Sequence, residues 1–128
     1  MTKYEPRDSF SVRLGKMDNE TQYFYEELEK EFRKYEDIKV RPSLRCVTFR
    51  YNKEVIAKVA LGGKTLKLYL AMDPNDKMLN DGKYHPRDLS SVKAYALCPT
   101  MLPIKSDLAL RKAKVVIQYV VLKKIFNL

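Results

Sequence analysis

Residues 44–74 read LRCVTFRYNKEVIAKVALGGKTLKLYLAMDP, and this stretch decides the fold class. Three runs within it, Leu44–Tyr51, Glu54–Leu61 and Lys64–Met72, alternate with a period of two, which sends successive side chains to opposite faces of a sheet. Asn52-Lys53 separates the first two runs, and asparagine tolerates the left-handed backbone of a tight hairpin turn. Gly62-Gly63 separates the second from the third and supplies positive φ without a Cβ. Counting outward from two-residue turns sets the register. Arg50 then faces Val55, Thr48 faces Ala57 and Cys46 faces Val59; across the second hairpin Val59 faces Leu66, Ala57 faces Leu68 and Val55 faces Leu70.

That register predicts a core face of Leu44, Cys46, Thr48, Val55, Ala57, Val59, Leu66, Leu68, Leu70 and Met72. The outer face carries Arg45, Val47, Phe49, Ile56, Lys58, Ala60, Thr65, Lys67 and Tyr69. Lys58 and Lys67 fall opposite one another, a pairing that mildly destabilises a sheet. Either both snorkel past a covering element into water, or the outer face meets a ligand. Asp73-Pro74 closes the third strand, since proline cannot continue a ladder.

A chain of 128 residues fits one domain, 1–128, and buries roughly two-thirds of its unfolded surface. Residues 1–8 read as a loose N-terminal arm without the apolar region of a signal peptide. No apolar run approaches the roughly 20 residues that span a bilayer, so no membrane association is expected. Two cysteines, Cys46 and Cys98, make neither a disulfide framework nor a metal quartet, and a reduced, cytoplasmic location follows. The net charge of +9 is unevenly spread. Residues 18–37 hold eight acids and three bases, residues 38–72 one acid and eight bases, and residues 103–128 one acid and six bases. A basic sheet beside an acidic helix points to a polyanionic partner or to solubility alone.

Ser9-Phe10-Ser11-Val12-Arg13-Leu14 alternates and reads as a short edge strand. Asp18 is placed to cap a helix reaching about Tyr35, with Phe24, Leu28, Phe32 and Tyr35 in an apolar stripe. Residues 37–43 read as a linker, and 75–86 as a polar loop. Residues 88–95 hold one helical turn or two, and Thr100–Lys105 a last short strand that Pro103 confines to an edge. Ser106 caps a final helix from Asp107 to about Lys124, despite the β-branched run at 115–122. The fold class is therefore α+β, an antiparallel sheet of about four or five strands (meander 44–72) with two main helices packed on one face.

Catalytic patterns are poorly matched. The one histidine, His85, precedes Pro86 in a polar loop, without the context of a nucleophile and an orienting acid. Asp73, Asn75, Asp76 and Asp81 are rich in oxygen but lack calcium-loop spacing, and turn chemistry explains them more simply. Gly62-Gly63-Lys64-Thr65 lacks the preceding glycine and following helix of a P-loop. Glu54 and Lys58 would share a strand face, yet a nuclease metal site needs a further carboxylate. What remains is the mixture of Arg45, Lys58 and Lys67 with Phe49 and Tyr69, cations for phosphates and rings for bases. A segment covering that face, such as 88–99, would leave only rim charges.

Ordered matches run through most of the chain: Ser9-Phe10…Leu14, Thr48-Phe49-Arg50, Ala57-Lys58, Gly63-Lys64-Thr65-Leu66…Leu68-Tyr69-Leu70 and Asp73-Pro74, then Lys83-Tyr84, Asp88…Ser90, Lys93…Tyr95, Pro99 and Ile104-Lys105…Asp107. In these the chain resembles a family of uncharacterised bacterial domains, from about residue 9 to 117. The resemblance implies the order strand, helix, meander, loop, strand, helix; the family carries no established activity, so it implies no site. In layout the chain is also similar to double-wing domains of the YjbR type, for which DNA binding has been suggested. The reading is a non-enzymatic module binding nucleic acid or another polyanion through Arg45, Phe49, Lys58, Lys67 and Tyr69, with no catalytic residue, cofactor or metal. Its alternatives are a protein-interaction or accessory domain with a protein partner and incidental charge, and an uncharacterised hydrolase or nuclease.

Overall fold

The computed structural model describes residues 9–80 and 82–127; the expected arm at 1–8 lies outside them. Helix α1 (Phe10–Gly15) leads into α2 (Asn19–Arg33), followed by strands β1 (Ile38–Pro42), β2 (Cys46–Tyr51), β3 (Glu54–Gly62) and β4 (Thr65–Leu70). A 3-10 turn at Lys77–Leu79, a two-residue strand β5 (Arg87–Asp88), a second 3-10 turn at Lys93–Tyr95, strand β6 (Thr100–Ile104) and helix α3 (Asp107–Ile125) complete it. The six strands form one sheet in the order β1-β2-β3-β4-β6-β5, every pairing antiparallel. The α+β class with two long helices on one sheet face is as the sequence predicts, but the sheet has six strands rather than four or five, edge strand β1 and the two-residue β5 being unexpected.

Local chemistry explains the helices. Asp18 Oδ1 accepts from Thr21 N at 2.8 Å and Ser106 Oγ from Ala109 N at 3.1 Å, each satisfying an otherwise orphaned N–H of the first turn. Phe24, Leu28 and Phe32 of α2 meet Leu110, Ala113, Val116, Ile117, Val120 and Val121 of α3 over the sheet. Leu66, Leu68 and Leu70 are fully buried beneath them. Each such side chain contributes roughly 1.5–3 kcal/mol on burial.

The expected strand at 9–14 is instead α1. Phe10 and Leu14 are four apart, so alternation and helical spacing share those two positions. Ser9 Oγ accepts from Val12 N at 3.2 Å, and Phe10 donates its N–H to Leu44 O at 2.7 Å while its ring enters the core. That capping selects the helix. The expected linker at 37–43 contains edge strand β1, paired with β2 from Ile38↔Tyr51 to Pro42↔Val47. Its Lys39, Arg41 and Pro42 are residues that protect a sheet edge from further pairing.

Both hairpins depart from the count. Asn52 and Lys53 have φ of 49° and 69°, as a type I′ turn requires. Beyond it, Arg50↔Val55 is followed by Phe49↔Ala57, so Ile56 is the extra residue of a β-bulge. The bulge inverts the faces of β2: Val47 and Phe49 join Ile56, Ala57 and Val59 in the core, whereas Cys46, Thr48, Arg50 and Val55 turn outward. The placement of Phe49, Val47 and Ile56 on the outer face is thereby corrected; so is that of Thr48, Cys46 and Val55 on the core face. Leu44, also expected in the core, is exposed. The second turn is Gly63-Lys64, with Gly63 at φ +62°, and it pairs Gly62 with Thr65. Partners therefore shift by two, Val59 to Leu68 and Ala57 to Leu70, and faces are unchanged. Lys58 lies opposite Tyr69 rather than Lys67, which faces Ala60 and sits diagonally from Lys58.

Pro103 occupies an edge in effect, because β5 pairs only with Met101 and Thr100. Among the described residues no helix is long and apolar enough to cross a membrane.

Candidate functional site

The outer face is built from alternate residues of four strands, of which β2 gives Cys46, Thr48 and Arg50. Strand β3 presents Val55, Lys58 and Ala60, β4 presents Lys67 and Tyr69, and β6 contributes Met101. The segment 89–99 folds back over this surface through tight turns: Leu89 N to Pro99 O at 2.7 Å, Tyr95 N to Val92 O at 3.0 Å and Cys98 N to Tyr95 O at 3.1 Å. Its Tyr95 ring stacks on Tyr69, centroids 4.8 Å apart and planes 3° from parallel. Tyr69 is left 7% exposed within a second small core with Cys98 and Met101. Burial first, and then the neighbouring Tyr95 hydroxyl, hold the Tyr69 phenol well above its ordinary range.

Between this flap and the sheet lies a half-open pocket of about 320 Å³. Ala60, Ala94 and Ala96 leave its space unfilled, Tyr69 and Tyr95 form its aromatic wall, and Arg45, Lys58 and Lys93 line it as cations. Of the residues singled out from the sequence, the structure thus gathers Arg45, Lys58 and Tyr69 in one place. Lys67 stays on the same face, its chain stretched across Gly62, where an added Cβ would meet it. Phe49 is on the other side of the sheet, fully buried and stacked on Phe32 at 4.0 Å. Lys93 and Tyr95 were missed because their loop position depends on long-range packing; the small residues flanking Tyr95 were the one local hint of space.

On the helical side several cations find acids. Glu27 takes Lys114 at 2.7 Å and Lys30 at 3.2 Å, Arg33 meets Glu29 at 2.8 Å, and Lys34 meets Glu31 at 3.0 Å. Glu31, only 2% exposed, also accepts from Gln118 Nε2 at 3.2 Å. Glu27, Glu29 and Glu31 of α2 are thus engaged by cations of α2, by Lys34 at its end and by Lys114 and Gln118 of α3. The positive charge of the sheet is left uncompensated: Arg45, Lys58, Lys67 and Lys93 make no ion pair among the described residues.

The chemistry weighed elsewhere falls apart in space. Glu54 reaches Lys124 of α3 at 2.7 Å on the helical side, so the bulge separates it from outward-facing Lys58. Asp73 and Asp76 accept backbone N–H groups of Asn75 and Met78, both at 2.9 Å, and Asp76 also accepts from Tyr119. Asp81 lies outside the described residues. No group of three His, Cys, Asp or Glu suited to a metal gathers among the described residues. His85 is exposed at φ 47°, away from the pocket.

Burial pushes the Cys98 thiol from its ordinary 9.0 up to about 11, with nearby Lys58 pulling the other way. A thiol raised on folding adds stability that is full below pH 9 and is lost as pH climbs from 9 through 11, because only the unfolded chain ionises in that window. Melts of the parent and of Cys98→Ala across that range should show the parent losing about 1–2 kcal/mol more than the variant. Parallel curves would mean that the thiol is freely ionisable.

No family model, curated protein or solved structure matches the chain, so nothing among them bears on the two resemblances.

Proposed function

We propose that this chain is a non-enzymatic binding module that holds nucleic acid, or another polyanion, on the outer face of its sheet. The observation that carries the reading is Lys58: half-buried, lining a pocket, and without a carboxylate partner among the described residues. A cation at the wall of a pocket with no carboxylate partner leaves a positive field there, which an incoming phosphate neutralises. Arg45, Lys67 and Lys93 extend the same field across the face, and none of them is paired with a carboxylate among the described residues. The suggested DNA binding of the similarly laid-out double-wing domains points the same way.

The test is a salt titration. Lys58→Gln with Lys67→Gln should weaken binding to DNA without lowering the melting temperature. Losing two phosphate contacts should flatten the slope of log K against log salt by roughly 1.4 on single strands to 1.8 on duplex. Unchanged affinity and slope would end the reading. The protein-interaction alternative would then stand on Leu108, Val115 and Leu122, which remain exposed at seven-residue spacing along α3.

A further inference from the structure

Resting on that reading, we infer that the partner is single-stranded nucleic acid, which places one unpaired base in the Tyr95 pocket and passes its phosphate chain over Leu97 to Arg50. The pocket has the chemistry of a nucleotide site: alanines and tyrosine rings inside, cations at its sides. Its volume lies at the small end of ligand pockets, suiting one heterocycle and excluding a base pair. A duplex would have to extrude a base to use it, a cost in pairing and stacking that a single strand avoids.

Arg50 supplies the independent observation. Its Nε is buried and finds no hydrogen-bond partner among the described residues, although burying a donor unsatisfied is unfavourable. Paired with Val55, it belongs to the outer face and lines a shallow groove of about 930 Å³ with Lys53 and Lys124. A guanidinium fork matches the oxygens of a phosphate. The carboxylates lining the groove are engaged, Glu54 by Lys124 and Asp73 by the Asn75 N–H. Leu97 lines both the pocket and the groove and is 66% exposed, a ridge that a chain crosses between base site and phosphate site.

The probes are a fluorescein-labelled oligothymidine and a hairpin duplex carrying the same number of phosphates. The parent should bind the single strand more tightly. Ala60→Leu and Ala96→Leu, each filling the pocket from a different side, should weaken oligothymidine binding about 5- to 150-fold, the range of one lost base stack, and leave the duplex unaffected. Ala96 is exposed, so its variant serves should Ala60→Leu fail to fold. Arg50→Gln should flatten the single-strand salt slope by roughly 0.7. Equal or tighter duplex binding by the parent, or a filled pocket with parental affinity, overturns this inference. If the Lys58/Lys67 variant still loses affinity for both probes, the binding reading itself survives. If that variant too is unchanged, both fall.

Discussion

Phe49→Ala should lower the free energy of unfolding by about 3–5 kcal/mol, the range for a buried phenylalanine cut back to alanine. The ring is fully buried between the sheet and α2, stacked on Phe32 with centroids 4.0 Å apart and planes 16° from parallel. Truncation removes its transfer free energy, leaves a cavity that rigid neighbours fill poorly, and forfeits a ring pair worth roughly 0.5–1.5 kcal/mol. A urea titration should show the midpoint moving at nearly constant slope, since the exposed area on unfolding changes little. Leu97→Ala is the control, because a two-thirds exposed side chain should move stability by no more than about 0.5 kcal/mol. A Phe49 cost as small as that would return the ring to the outer face, where simple alternation puts it.

Why alternation misplaces Phe49 shows what a sequence of this kind discloses. The long helices were legible because their signals are local: Asp18 and Ser106 cap them, and Phe24, Leu28 and Phe32 recur at helical spacing. Strand β4 was legible because its leucines alternate without interruption and its turn error was even: moving the turn from Gly62-Gly63 to Gly63-Lys64 changes partners by two and faces not at all. The error in β2 was odd. Val55-Ile56-Ala57 contains nothing that announces an extra residue, and three apolar side chains in a row fit a bulge as well as a strand. One unpaired position between Val55 and Ala57 then inverts every residue of β2. Lys58 and Tyr69 lie where no bulge intervenes between them, so their shared face was readable. Arg45 shares that pocket, but its inclusion came from an inverted count; Lys93 and Tyr95 come from a loop whose path no local signal specifies.

Deleting Ile56 should cost stability yet keep the faces of β2. The residue is fully buried, and its carbonyl accepts the Ala71 N–H at 2.9 Å, tying the end of β4 to the bulge. Without it, Arg50↔Val55 and Phe49↔Ala57 become successive rungs of a regular ladder, because Ile56 is the unpaired residue between them. Val47, Phe49, Ala57 and Val59 then keep the core face, and Arg50 and Val55 the outer one. What is lost is a buried isoleucine, about 2–5 kcal/mol when cut back to alanine, and one hydrogen bond of about 1 kcal/mol. The deletion variant should therefore still unfold in a cooperative urea transition, less stable than the parent by roughly 3–6 kcal/mol, with Tyr69 still against Tyr95. Ile56→Val, which keeps the bulge and removes one methylene, should cost only about 0.5–1.5 kcal/mol. The contrast separates the bulge from the volume it fills, because both variants lose apolar surface at one site and only one loses the extra residue. A deletion variant without a cooperative transition, or one in which Phe49 becomes accessible to solvent, would show that the faces of β2 depend on the bulge itself.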